Sequence, residues 1–184
     1  MSWKNTDSRY GTLSITMHWL MLALLIAVYA CILLHGEFPK SDPMHQTLKT
    51  WHFMLGLSVF GLVFLRLAFR LAGSTPRIAP PLPPWQHWLA KLMHLSLYAF
   101  MLVMPILGWL TLSAAGKTIP LFGLGLPPLI GYDKPYSKEL EHLHETIGTI
   151  GYYLIGFHAA AALFHHYFVR DNTLLRMLPR RNVQ

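Results

Sequence analysis

Four stretches free of Lys, Arg, Asp and Glu restrict this chain to very few folds: Ile15 to Leu34, Thr50 to Leu65, Leu92 to Leu112 and Ile147 to Phe168. Each approaches the roughly 20 residues that a helix needs to cross a hydrocarbon core about 30 Å thick. Thr50 to Leu65 is the shortest, and Lys49 and Arg66 lengthen it by snorkelling from its ends. Lipid offers a backbone no hydrogen bonds, so each stretch must satisfy its own as a helix. Charged residues make up only 12% of the 184, about half the share of a soluble domain. The expected fold is all-α: an integral membrane four-helix bundle with helices at about 13–34, 48–71, 85–112 and 144–169, forming one transmembrane domain over residues 1–184.

A net charge of +7 raises the possibility of nucleic acid, but the distribution of charge points to lipid instead. All eight arginines lie in the N-terminal tail (Arg9), around the second connection (Arg66, Arg70, Arg77) or in the C-terminal tail (Arg170, Arg176, Arg180, Arg181). The other two connections carry Lys40, Lys49, Lys117, Lys134 and Lys138 against Glu37, Asp42, Asp133, Glu139, Glu141 and Glu145, a net of −1. The positive-inside rule then predicts that both termini are cytoplasmic.

The first apolar run is too long for a signal peptide, and no small-x-small cleavage site follows it. Cys31 is the single cysteine, so no internal disulfide forms, and no C-x-x-C-H motif is present to attach haem covalently. The link from Ala72 to Pro84 holds five prolines and cannot be helical. Ala114 to Leu143 is the longest outer segment, and Ser137 is expected to cap a short surface helix within it. No soluble portion is large enough to house an active site, so any chemistry belongs to the bundle or its two mouths.

Histidines supply the candidate chemistry. His144 and His158 stand fourteen residues apart in the fourth segment, which on a helix is about 21 Å of rise and within about 40° of one face. One helix thus carries an imidazole near each side of a bilayer. His18 near the inner start of the first segment shares a level with His158, and His52 near the outer start of the second shares one with His144. Two bis-histidine haems, one per level, satisfy this pattern, and they would be b-type because coordination and packing alone would hold them. Two axial imidazoles leave no open position on iron, which suits electron transfer. The competing reading of any one intramembrane histidine is a satisfied core residue or a proton relay.

The stripe His144, Gly148, Gly151, Ile155, His158, Ala162, His165 and the pair His52, Gly56 set small residues beside the histidines. They either leave room for a flat macrocycle or let helices pack closely, as small residues do in any membrane bundle. His94 in the third segment either replaces His18 in the inner pair or hydrogen-bonds a propionate or a neighbouring helix. His165, seven residues past His158, is either a wet interfacial histidine or the group that hydrogen-bonds or exchanges a proton with a quinone carbonyl, together with Thr16. His35, His45, His87 and His142 read as loop or interface residues.

Several blocks resemble the bacterial cytochrome b561 family, and more closely its superoxide oxidase members. They are Ser14-Ile-Thr-Met-His-Trp, Trp51-His-Phe-Met-Leu-Gly, His144-Glu-Thr-Ile, and Gly156-Phe-His-Ala-Ala-Ala-Ala-Leu-Phe-His-His-Tyr-Phe followed by Asp171-Asn-Thr-Leu-Leu-Arg-Met-Leu-Pro-Arg. The resemblance covers nearly the whole chain and is weakest from Ala114 to Glu141. It implies haem ligands at His18, His52, His144 and His158, paired His18 with His158 and His52 with His144. It also implies ubiquinone as acceptor on the cytoplasmic side, superoxide as donor, and a multi-pass place in the bacterial inner membrane. Lys49, Lys117, Lys134 and Lys138 would then steer the anionic donor, or else are ordinary solvated charges. Two other functions compete: an electron-transfer and anchor subunit that works only with a periplasmic dehydrogenase, and a haem-free transporter or scaffold.

Overall fold

The computed structural model describes residues 3–179. Four helices dominate it: α1 (Thr12–Leu34), α2 (Pro43–Ala72), α3 (Pro84–Ala114) and α4 (Lys134–Phe164). All four are long and apolar enough to cross a membrane. Their flanks remain apolar where a soluble protein would be charged: Ile26, Phe64, Leu95 and Phe157 are among the large exposed side chains, as expected of a surface solvated by lipid tails. A two-stranded antiparallel hairpin, β1 (Ile119–Leu121) and β2 (Leu124–Leu126), is the exception to the all-α expectation. Its turn puts Phe122 at φ 46° and Gly123 at φ 87°, the two left-handed positions that a type I′ hairpin requires.

The helix ends depart from the predicted ones for local reasons. Helix α2 opens at Pro43, before the predicted 48, because the Asp42 carboxylate caps the Met44 N–H at 2.8 Å and proline suits a first turn. Helix α4 opens at Lys134 and absorbs the short surface helix expected in front of it. Ser137 is therefore not its cap. Asp133 caps instead, accepting from Tyr136 N–H at 3.0 Å, while the buried Ser137 hydroxyl donates to the Thr111 carbonyl at 3.1 Å. The link after α2 is non-helical from Gly73 to Pro83, as its prolines predicted.

The chain divides into two compact units, and each helix contributes a stretch to both. The terminal unit comprises Met1–Leu20, Phe64–Tyr98 and Tyr152–Gln184. Here polar side chains tie both tails to the proline link. Asn5 donates to Ser74 O at 2.9 Å and accepts from Gly11 N–H and the Ser14 hydroxyl. Asn172 and Ala79 exchange two bonds, at 3.0 and 3.3 Å. Arg176, one of the arginines of the C-terminal tail, is buried with its guanidinium donating to Pro76 O and its charge over the Tyr10 ring. Arg180 and Arg181 lie outside the described residues.

The hairpin unit comprises Met21–Val63 and Ala99–Gly151. Its buried apolar residues include Val59, Val63, Leu112, Ala114, Ile119 and Leu140. Buried Ser113 organises the hairpin loop, donating to Trp109 O at 2.8 Å and accepting from Leu129 N–H at 3.0 Å. The Phe122 N–H is directed at the Met54 sulfur at 3.3 Å. These bonds give two backbone N–H groups of the loop partners on α2 and α3, which limits the cost of taking them out of water.

Candidate functional site

Each unit holds one pair of facing imidazoles. In the hairpin unit the His52 and His144 ring centres are 6.2 Å apart, and in the terminal unit those of His18 and His158 are 6.3 Å apart. A metal-bound imidazole nitrogen lies about 2 Å from the metal and about 1.1 Å from its own ring centre, so two trans imidazoles stand roughly 6.2 Å apart centre to centre. Both pairs match that span. His94 also faces His158, with ring centres 5.6 Å apart, short of the trans distance. Among the described residues no three or more His, Cys, Asp or Glu side chains gather into a metal cage. Two trans imidazoles alone suit a metal whose equatorial ligands come from a planar macrocycle, as in bis-histidine haem.

The local chemistry of the hairpin-unit pair agrees with that fit. The His52 Nδ1 lies 3.0 Å from the Val28 carbonyl. A carbonyl only accepts, so Nδ1 carries the proton and Nε2 keeps its lone pair, the tautomer of a ligating histidine. The His144 ring rests edge-on against α3, where a Cβ at Gly108 would come within 3.3 Å of Cε1. His144 Nδ1 is buried without a hydrogen bond of ordinary geometry, although the Met104 backbone is near enough to interact. Gly108 escaped sequence reasoning because a glycine on another helix has no period linking it to a histidine.

The glycine stripe resolves into separate roles. A Cβ at Gly56 would meet nothing within 4 Å, which leaves space on the His52 face. A Cβ at Gly148 would touch the Met104 methyl at 3.5 Å, an ordinary contact. One at Gly151 would collide with the Phe100 ring and the Tyr29 hydroxyl. That hydroxyl also donates to the Gly148 carbonyl at 2.8 Å, joining α1 to α4. Gly151 therefore serves close helix packing.

The terminal-unit pair has a more charged setting. Arg66, expected to snorkel at a helix end, is six residues short of the end of α2. Its guanidinium lies 3.0 Å from His18 Nδ1. Arginine only donates, so His18 accepts at Nδ1, the opposite tautomer to His52. For His18 to offer Nε2 to iron, Arg66 must release Nδ1, and a haem propionate is the bidentate partner that a guanidinium favours. Arg66 and Arg70 each approach the Tyr98 ring, at 5.8 Å from its centre. The residues present fit a haem at each pair, with this exchange of partners at Arg66.

Beyond His158, helix α4 loosens into a wider turn at His165–Val169 and ends at Arg170, whose φ of 58° is left-handed. The reversal lets Asp171 N–H bond the His165 carbonyl at 3.2 Å, a Schellman-type closure. It also carries the buried Asp171 carboxylate back to His165 Nδ1 at 2.6 Å. The second carboxylate oxygen accepts from Thr173 N–H at 2.8 Å. Burial alone would raise the Asp171 pKa, but the bonds from Thr173 and His165 outweigh it and hold the carboxyl below its ordinary value. Sequence reasoning named His165 but not Asp171, since six residues is not a helical repeat and a non-glycine left-handed turn gives no warning. Thr16 is exposed on α1, and among the described residues no hydrogen bond joins it to His165.

Of the outer lysines, Lys117 lines an open recess of about 500 Å³ with Gln46, Thr50, Phe53 and Thr118. Among the described residues neither it nor Lys49, Lys134 or Lys138 is ion-paired.

Comparison with known proteins places these features in context. The family model described as prokaryotic cytochrome b561 matches residues 9–180. Cytochrome b561 homolog 1 of Escherichia coli is 39% identical over 174 residues, covering 95% of this chain and 99% of that protein. The probable superoxide oxidase CybB of Yersinia pestis is 35% identical over 173 residues, covering 94% and 97%. Cytochrome b561 homolog 2 of E. coli is 28% identical over 179 residues, covering 97% and 95%.

Proposed function

This chain belongs to the prokaryotic cytochrome b561 family, multi-pass inner-membrane proteins that transfer electrons through haem b, and on that premise we propose that it is a di-haem superoxide:ubiquinone oxidoreductase. The observation that carries the reading is the matched pair of trans-spaced imidazoles, 6.2 and 6.3 Å, with α4 supplying one member of each. The ligands are His52 with His144 and His18 with His158. A bound haem supplies reversible one-electron storage, which a one-electron donor needs when the acceptor takes two. Two superoxide anions each lose an electron to become oxygen, and one quinone gains both electrons and two protons to become quinol.

The chain's own residues divide the remaining work. With the termini cytoplasmic, the recess beside Lys117 and Thr50 opens on the periplasmic side, two residues from His52. Its lysine attracts a small anion, and Thr118 and Gln46 offer hydrogen bonds. Arg66 fixes positive charge beside the His18–His158 pair, which would stabilise negative charge gained there. At that mouth His165 presents a proton to a quinone carbonyl, Asp171 holds its Nδ1, and the Thr16 hydroxyl offers a second hydrogen bond. The relative named as a probable superoxide oxidase supports this choice of donor.

The test is a reduced-minus-oxidised spectrum with haem quantification, then stopped-flow mixing of the purified protein with superoxide and a short-chain ubiquinone. Two haems per chain and quinol formation without a partner are expected. Haem that stays oxidised in superoxide but is reduced by a periplasmic dehydrogenase would return the protein to the anchor-subunit reading.

A further inference from the structure

We propose that His35 and His45, which the electron-transfer reading does not use, form a binding site for a divalent first-row transition ion, Cu²⁺ in preference to Zn²⁺. Both lie in the hairpin unit, His35 directly after α1 and His45 in the first turn of α2. Their ring centres are 4.9 Å apart and their planes are inclined at 54°. The centre-to-metal distance of about 3.1 Å used for the haem pairs converts that separation into an angle of roughly 105° at a shared metal, which makes the two rings adjacent (cis) ligands. The two trans pairs give about 180° by the same arithmetic, so this pair subtends a different angle.

The hydrogen bonds make both rings ligands in waiting. His35 Nδ1 bonds the Ile32 carbonyl, and His45 Nδ1 bonds the Phe38 carbonyl at 3.1 Å. Carbonyls only accept, so both Nδ1 atoms donate, and in the neutral rings both Nε2 atoms keep lone pairs. This is the arrangement in which a backbone carbonyl fixes the tautomer and orientation of a metal-bound imidazole. Neither Nε2 has a hydrogen-bond partner among the described residues. Two such nitrogens cannot bond each other, since each is an acceptor; a cation between them satisfies both. The connection is itself held by Phe38 N–H to His35 O at 3.3 Å and His45 N–H to Asp42 O at 3.1 Å. Glu37 and Asp42 give it two negative charges against the one positive charge of Lys40, which favours a cation. Imidazole nitrogen suits Cu²⁺ and Zn²⁺, and affinity for a given site peaks at Cu²⁺. Water completes the coordination sphere.

The experiment titrates the purified, tag-free protein in detergent with Cu²⁺ and follows the copper signal by electron paramagnetic resonance, with the haem Soret band recorded in parallel. One Cu²⁺ per chain is expected, split by two imidazole nitrogens, with the Soret band unmoved. His35→Gln and His45→Gln should each weaken binding at least tenfold, and His142→Gln should leave it unchanged. Equal affinity in the His35→Gln, His45→Gln double variant would overturn the site. So would a signal split by fewer than two nitrogens in the unaltered protein, a reading that stands even if a variant misfolds. A Soret change in step with added copper would assign the binding to the haem ligands instead.

Discussion

The two trans imidazole pairs have nearly the same ring separation and very different surroundings. Around His52 and His144 the partners are backbone: the Val28 carbonyl on one ring and the Gly108 main chain against the other. Around His18 and His158 they are charged or titratable: Arg66 on His18 Nδ1, and His94 facing His158. Ring separation alone therefore makes the two pairs equivalent, and only the neighbours make them different. The hairpin-unit pair is preorganised with its ligating lone pair free. In the terminal-unit pair a guanidinium occupies His18 Nδ1 and would have to change partners for the proposed ligation.

The largest expected effect comes from removing one ligand of each pair. His158→Ala should lower haem content from two per chain to one and leave the hairpin-unit spectrum, while His144→Ala should do the reverse. Pyridine haemochrome quantification checks both, and variants that keep both haems would end the ligand assignment. Next is the His165–Asp171 dyad, which has no counterpart in the other unit. His165→Ala and Asp171→Asn should each retain both haems yet slow quinol formation on the order of 10²-fold, the usual scale of lost proton transfer. Unchanged rates would return His165 to a wet interfacial residue.

A third comparison lies within the hairpin unit. Gly151→Ala forces a methyl group against Phe100 and Tyr29, and should cost about 1–3 kcal/mol by overpacking. Gly56→Ala meets open space in the absence of haem, so the apoprotein should tolerate it. Thermal unfolding in detergent separates the two, and equal losses would deny the glycines distinct roles. Arg66→Gln tests the contrast in charge: the midpoint potential of the terminal-unit haem should fall while that of the other holds. Redox titration that moves both equally would remove Arg66 as the source of the difference.

The smallest effect concerns acid. The folded Asp171 carboxyl titrates below its ordinary value of 3.8. Its contribution to stability is therefore complete above that value and lost as pH falls through the lower, folded one. Asp171→Asn should flatten the acid limb of a stability profile of the terminal unit, and an unaltered limb would assign acid loss elsewhere.

Much of this was legible in the residues themselves. Charge-free stretches of membrane length can only be helices, because lipid gives an unpaired backbone no alternative. The fourteen-residue interval between His144 and His158 places two imidazoles on one face whatever surrounds them, because helical pitch is a local property. What sequence could not supply were contacts between elements that no period connects. Gly108 against His144, Gly151 against Phe100 and Tyr29, and Arg66 turned onto His18 each depend on how two helices meet. Asp171 reaches His165 only because Arg170 adopts a left-handed turn, and His35 meets His45 only because a short connection folds back on itself. Periodicity within one helix is set by the backbone and can be read along the chain; the pairing of side chains from different helices is set by packing, and only the tertiary structure decides it.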